Sequence, residues 1–166
     1  MLAGYDVQFI ALGTGEHDLE RSLWQLGQDF HWKMRALLHY DAAIAQTIYA
    51  GSDLFLMPSH FEPCGTSQML AMRYGSLPLV RETGGLADTV NNYDNGEGHF
   101  GTGFVFSWEE PDAIFETMRW AWDTYRNRPH AWKRMQQRGM AVDFSWTKSA
   151  RQYYDLYQKA INRKKG

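Results

Sequence analysis

Asp53-Leu54-Phe55-Leu56-Met57-Pro58 opens the stretch that decides the fold, and Ser67-Gln68-Met69-Leu70-Ala71-Met72-Arg73-Tyr74-Gly75 and Leu77-Pro78-Leu79-Val80 complete it. The first segment is a short, continuous apolar run stopped by a proline. That is the pattern of a strand covered on both faces, as in a parallel sheet. The second is dense in Met, Leu and Ala and ends at Gly75, a residue that closes a helix in the left-handed conformation without steric cost. The third is another short apolar strand. Strand, helix and strand in this order predict one βαβ step of a parallel α/β fold.

The same alternation extends outward. On the N-terminal side, residues 6–12 read as a mostly apolar strand broken by Gly13-Thr14-Gly15. A helix is expected over 17–26, a strand over 33–38 and a short helix with an apolar face over 44–49. On the C-terminal side, a short helix over 87–92 and a last strand over 103–106 follow. Strands alternating with helices predict a doubly wound parallel α/β sheet. Beyond residue 106 the pattern is helical only. Pro111 stands where a first-turn proline belongs, and Ile114, Met118, Ala121 and Tyr125 recur at helical spacing. A second helix is expected over 130–141. A third starts near Ser145, with Ala150, Tyr154, Tyr157 and Ile161 on one stripe. Residues 91–102, rich in Asn, Gly, Asp and His, form the one long loop.

The bulk properties narrow the class. At 166 residues the chain is one domain by length, enough to hide roughly 70% of its unfolded surface. A net charge of −2 provides no global field for nucleic acid or an acidic membrane, so neither is expected as a partner. No apolar run approaches the ~18 residues of a membrane span. Cys64 is the one cysteine, so no internal disulfide forms, which fits a reducing cytoplasm. Aromatic residues make up 15%, with seven Trp. They read as a large aromatic core with some surface rings, or as rings that stack on sugars or bases.

Open α/β sheets bind ligands beyond the carboxyl ends of their strands. The segments there are Gly13-Thr14-Gly15, Tyr40-Asp41, 59–65, Arg81-Glu82-Thr83-Gly84-Gly85 and Ser107-Trp108. In Glu62-Pro63-Cys64-Gly65-Thr66-Ser67-Gln68, Gly65 allows close approach of a ligand to the backbone. Thr66 and Ser67 follow at an expected helix N-terminus, whose free amides and dipole favour phosphate. Their hydroxyls have two readings, phosphate ligands or simple N-caps. Glu62 repels a phosphate, so it reads either as a group for sugar hydroxyls or a positive sugar centre, or as a surface charge at the start of a helix. Thr83-Gly84-Gly85 is a second Gly-rich turn into a helix, a type that is mostly structural. Gly13-Thr14-Gly15 is not a dinucleotide fingerprint, because the third glycine at the required spacing is missing. No metal cluster is apparent.

Residues 53–65, from Asp53 through Glu62-Pro63-Cys64-Gly65, closely resemble the bacterial glycogen and plant starch synthases. The likeness continues through Gln68, Tyr74-Gly75, Pro78 and Thr83-Gly84-Gly85-Leu86-Ala87-Asp88-Thr89-Val90. Residues 101–106 and Asp143-Phe144-Ser145-Trp146 extend the match, which covers nearly the whole chain. The resemblance implies a retaining glucosyltransferase that moves glucose from ADP-glucose to the 4-OH end of an α-1,4-glucan, with no further cofactor. It implies two Rossmann-like domains of the glycogen phosphorylase type. Residues 1–166 would be part of the C-terminal, nucleotide-sugar-binding half, with final helices at about 111–161. The last helix would cross back to the N-terminal domain, itself a partner outside this chain.

Carried over by position, the resemblance makes Glu62 the catalytic-site glutamate, with Cys64 and Gly65 lining its turn and amides near Thr66 and Ser67 holding the phosphates. Tyr40 matches a tyrosine that stacks on adenine, although it also reads as a plain strand-end aromatic. Thr83, Gly84 and Gly85 match the loop at the sugar end, and Gly13 and Gly15 a glycine turn at the cleft. There are departures. The family usually reads Gly-Leu-Thr-Gln where this chain has Gly65-Thr66-Ser67-Gln68, and related enzymes carry a second glutamate where Leu70 stands. The arginine and lysine that neutralise the diphosphate lie upstream of the first strand. The chain is therefore expected to be inactive alone, since leaving-group charge is stabilised by cations placed in advance. Two alternatives stand beside this reading: a relative that uses a UDP-sugar, and a non-catalytic nucleotide- or glucan-binding module.

Overall fold

The computed structural model describes residues 1–165. Five strands and seven helices alternate as the sequence predicts: β1 (Phe9–Leu12), α1 (His17–Asp29), β2 (Met34–Leu37), α2 (Ala42–Gly51), β3 (Leu54–Met57), α3 (Ser67–Tyr74), β4 (Leu77–Arg81), α4 (Gly84–Thr89), β5 (Phe104–Phe106), α5 (Pro111–Asn127), α6 (Pro129–Ala141) and α7 (Trp146–Lys165). Every strand pairing is parallel. The ladder is divided, however. β1 pairs with β2 in one sheet, and β3, β4 and β5 form a second in that order.

β4 is the centre of the molecule. Leu77 and Leu79 point to one face and join Phe104, Phe106, Ala121, Trp132 and Met135, so α5 and α6 are packed there. Val80 points to the other face and joins Met72, Leu86 and Val90, placing α3 and α4 on that side. The alternation is the ordinary two-residue period of a strand with a helical layer on each face. Gly75 ends α3 at φ +85°, and its amide and that of Ser76 close on Met72 and Ala71.

α4 begins three residues earlier than the apolar pattern predicts and stops at Thr89. Thr83 is extended and Gly84 sits at φ +43°, so the helix starts at the glycines themselves. Residues 91–102 are strapped down: Arg134 donates to the Glu97 carbonyl at 2.6 Å, and Arg138 to those of Gly101 and Gly98 at 2.6 and 2.7 Å. Before α7, Asp143 accepts the Ser145 amide at 2.8 Å, and that bond holds its carboxyl below the usual carboxylate range. The stripe expected on α7 forms, but it is exposed, with Tyr154, Tyr157 and Ile161 all open to solvent. Among the described residues, no helix is long and apolar enough to cross a membrane.

Candidate functional site

The turn between β3 and α3 is built from interlocking contacts. Gly65 takes φ +68°, a left-handed conformation that disfavours any β-carbon. A β-carbon there would also lie 2.6 Å from the side-chain oxygen of Gln68. Gln68 is fully buried. Its amide nitrogen donates to the Cys64 carbonyl at 3.3 Å, to the Gly65 carbonyl at 3.1 Å and to the Thr89 hydroxyl at 3.0 Å. Thr89 in turn donates to the Gly85 carbonyl at 2.6 Å. Gln68 therefore ties the turn to the helix that follows β4, a role its side-chain type permits because one amide group serves several acceptors.

The two Gly-rich turns meet at Glu62. The Gly85 amide donates to the Glu62 carbonyl at 3.0 Å. A β-carbon on Gly84 would stand 2.0 Å from that same oxygen, and one on Gly85 would stand 1.8 Å from the Cys64 carbonyl oxygen. Both glycines are needed for backbone to lie on backbone. The Glu62 carboxylate is half-buried and accepts a long hydrogen bond from Ser59 Oγ at 3.4 Å.

α3 starts directly after this turn. Thr66 is the N-cap residue, yet its side chain makes no cap bond. The amides at this helix start thus have no side-chain acceptor, which is the arrangement an anion completes. Thr83 is likewise the N-cap of α4 without a side-chain cap. Cys64 is exposed and unpaired with another cysteine.

Gly13, Gly15 and Tyr40 follow β1 and β2, in the other sheet. The Gly13 amide donates to the Leu37 carbonyl at 3.1 Å, so the turn after β1 lies against the end of β2. The Gly15 amide donates to Glu20 at 2.8 Å. Tyr40 is 83% exposed, a free ring at a strand end. Its neighbour Asp41 is a structural cap, accepting the Ala43 and Ile44 amides at 2.9 Å each. The contacts that join Glu62, Cys64, Gly65, Gly84 and Gly85 do not reach these three residues.

Sequence reasoning placed Arg81 in the segment after the strand expected at 77–80 but gave it no role of its own. Arg81, at the end of β4, donates to the His60 carbonyl at 2.6 Å and to that of Ser59 at 3.4 Å, and pairs with Glu109 at 3.3 Å. Glu109 also contacts His60 Nδ1. A polar residue after a strand is too common for the sequence to show what it binds. Among the described residues, no group of three or more His, Cys, Asp or Glu is placed to hold a metal ion.

Comparison with known proteins gives this site its family. Residues 4–139 match the Glycosyl transferases group 1 family. The chain is 48% identical to a glycogen synthase of Streptococcus pneumoniae and 46% identical to glycogen synthase 1 of Synechocystis. Each alignment covers 95% of this chain and 33% of the relative. The chain thus spans about a third of the length of the curated relatives it matches. The catalytic domain of starch synthase IV from Arabidopsis thaliana, bound to ADP and acarbose, superposes with a TM-score of 0.82 at 40% identity, over 93% of this chain and 32% of that one. A sucrose-phosphate synthase from Thermosynechococcus elongatus shares the fold at 20% identity and a TM-score of 0.62, over 94% of this chain and 39% of that one. With its parallel strands, its turn-on-turn contact at Glu62 and a match over most of its length, the chain belongs to the group 1 glycosyl transferases.

Proposed function

We propose that this chain forms the donor-binding part of a retaining glucosyltransferase that moves glucose from ADP-glucose to the 4-OH end of an α-1,4-glucan. The observation that carries the reading is the junction of the two Gly-rich turns. It packs Gly84 and Gly85 on the backbone of Glu62, a half-buried residue four positions before Thr66 at the uncapped start of α3, in a chain 48% identical to a glycogen synthase. The two features suit opposite charges. Amides and helix dipole favour the diphosphate. Glu62 favours the positive sugar centre that develops as the bond from sugar C1 to the phosphate oxygen breaks and the bond to the acceptor oxygen forms. Cys64, Thr83, Gly84 and Gly85 shape the sugar end, Gly65 lies with Thr66 and Ser67 on the phosphate side, and Gly13 and Gly15 form a glycine turn at the cleft.

Tyr40 supplies an exposed ring for adenine, and the ADP held by the starch synthase IV relative supports that nucleotide. The acarbose in the same relative supports a glucan acceptor. In this reading the cations for the diphosphate lie upstream of the first strand and the acceptor surface on an N-terminal domain, so the chain alone does not turn over. An enzyme on these substrates, with one exposed free cysteine, fits the cytoplasm.

Calorimetric titration with ADP and with UDP tests the proposal. ADP is expected to bind in preference, and Tyr40→Ala to weaken it by about tenfold or more, since stacking on one base contributes ~1–3 kcal/mol. Preference for UDP would assign the chain to a relative with another donor. Equal ADP affinity in parent and variant would remove Tyr40 from the site.

A further inference from the structure

We propose that Arg81 is a positioning residue for Glu62, holding the turn that carries it, with Glu109 as the latch that keeps Arg81 in place. The role given to Glu62 rests on the function proposed above; the clamp itself rests on contacts.

The Arg81 side chain is only 18% exposed. Nothing in the strand calls for a charge there, because the preceding residues, Leu77 through Val80, are fully buried and apolar. Burying a guanidinium is costly unless it is paired and its donors are used. Here the two terminal nitrogens are used: Nη1 donates to the carbonyls of Ser59 and His60 at 3.4 and 2.6 Å and Nη2 pairs with Glu109 at 3.3 Å, while Nε is buried without a partner. Glu109 also contacts His60 Nδ1, so the latch closes on the same residue that Arg81 grips.

Ser59 is also the residue whose hydroxyl reaches the Glu62 carboxylate, at 3.4 Å. The Glu62 carbonyl is fixed by the Gly85 amide, and the residues just after it are fixed by Gln68. Arg81, with Glu109, thus restrains the entering side of the turn. A carboxylate that must face a developing charge gains from being held before the reaction. An arginine suits the task because its planar fork spans several acceptors, which a lysine ammonium on a flexible stem does not.

Hydrogen exchange of the Gly85 amide in the 166-residue chain reads the turn directly, with the Met135 amide as a reference for global opening. Arg81→Gln is expected to raise the Gly85 rate on the order of tenfold relative to Met135, the scale of losing charge-assisted hydrogen bonds. Arg81→Lys is expected to recover part of the protection. Glu109→Gln should move Gly85 in the same direction by less, and it decides the matter by the same ratio should Arg81→Gln fail to fold. A Gly85 rate that is unchanged, or that rises only in step with Met135, would overturn the clamp.

A second readout concerns function. Arg81→Gln is expected to leave ADP affinity within about twofold and to abolish any gain of ADP-glucose over ADP, since the clamp acts at the sugar end. Retention of that gain would overturn the positioning role. Failure of the parent chain to bind nucleotide would count against the donor reading alone, because the exchange experiment needs no ligand.

Discussion

A β-carbon at position 85 would stand 1.8 Å from the Cys64 carbonyl oxygen and 2.6 Å from its Cα, both backbone atoms that no rotamer change can clear. Gly85→Ala is therefore expected to destabilise the chain by about 2 kcal/mol or more, at the upper side of overpacking costs. Gly51→Ala, where the added carbon meets nothing within 4 Å, is the control and should stay within about 0.5 kcal/mol. Urea denaturation of both measures the difference, and equal midpoints would mean that the two turns do not touch as described. The sequence marks these glycines as a turn. It does not say that their partner is the backbone at 62–64, because contact between segments twenty residues apart leaves no periodic signal. The contacts of Gln68 and Arg81 escape for the same reason. Each acts on main-chain carbonyls, which every residue has.

Strands and helices were legible where periodicity and punctuation agreed. β3, α3 and β4 lie where the apolar runs, Pro58 and Gly75 put them. α4 was misplaced by three residues because glycines are poor helix formers. Here close packing against Glu62 and Cys64, not propensity, starts the helix at Gly84. The division into two sheets was not legible, since an apolar strand looks the same with one paired neighbour as with two. The pairing makes a prediction. Phe9 and Gly13 donate toward β2, and Asp53 accepts from Leu77 on β4, so odd-numbered residues of β1 and β3 face their partners. The amides of Ile10, Leu12, Leu54 and Leu56 then lie on open edges. They should exchange much faster than those of Ala11, Phe55 and Met57. Similar protection along either strand would show that its second edge is covered.

At the scale of the molecule, β4 is buried on both faces while Ile10 of β1 is 49% exposed and the apolar stripe of α7 lies open. This group 1 glycosyl transferase chain, which spans about a third of the length of its curated relatives, has its two Gly-rich turns packed on one another beside the well-packed sheet. In the proposed reading it lacks the groups that neutralise the leaving diphosphate. With ADP-glucose and glycogen it is expected to release no ADP above a Glu62→Ala background, and clear Glu62-dependent release would contradict that division of labour.

The most direct test of the donor site is an amide chemical-shift map of the 166-residue chain during titration with ADP. Changes are expected to concentrate at Gly65 through Met69, at Thr83 through Gly85 and around Tyr40, all at the carboxyl ends of strands. Changes confined to α7, to the opposite ends of the strands, or absent at saturating nucleotide would contradict a donor site at the junction of the two turns.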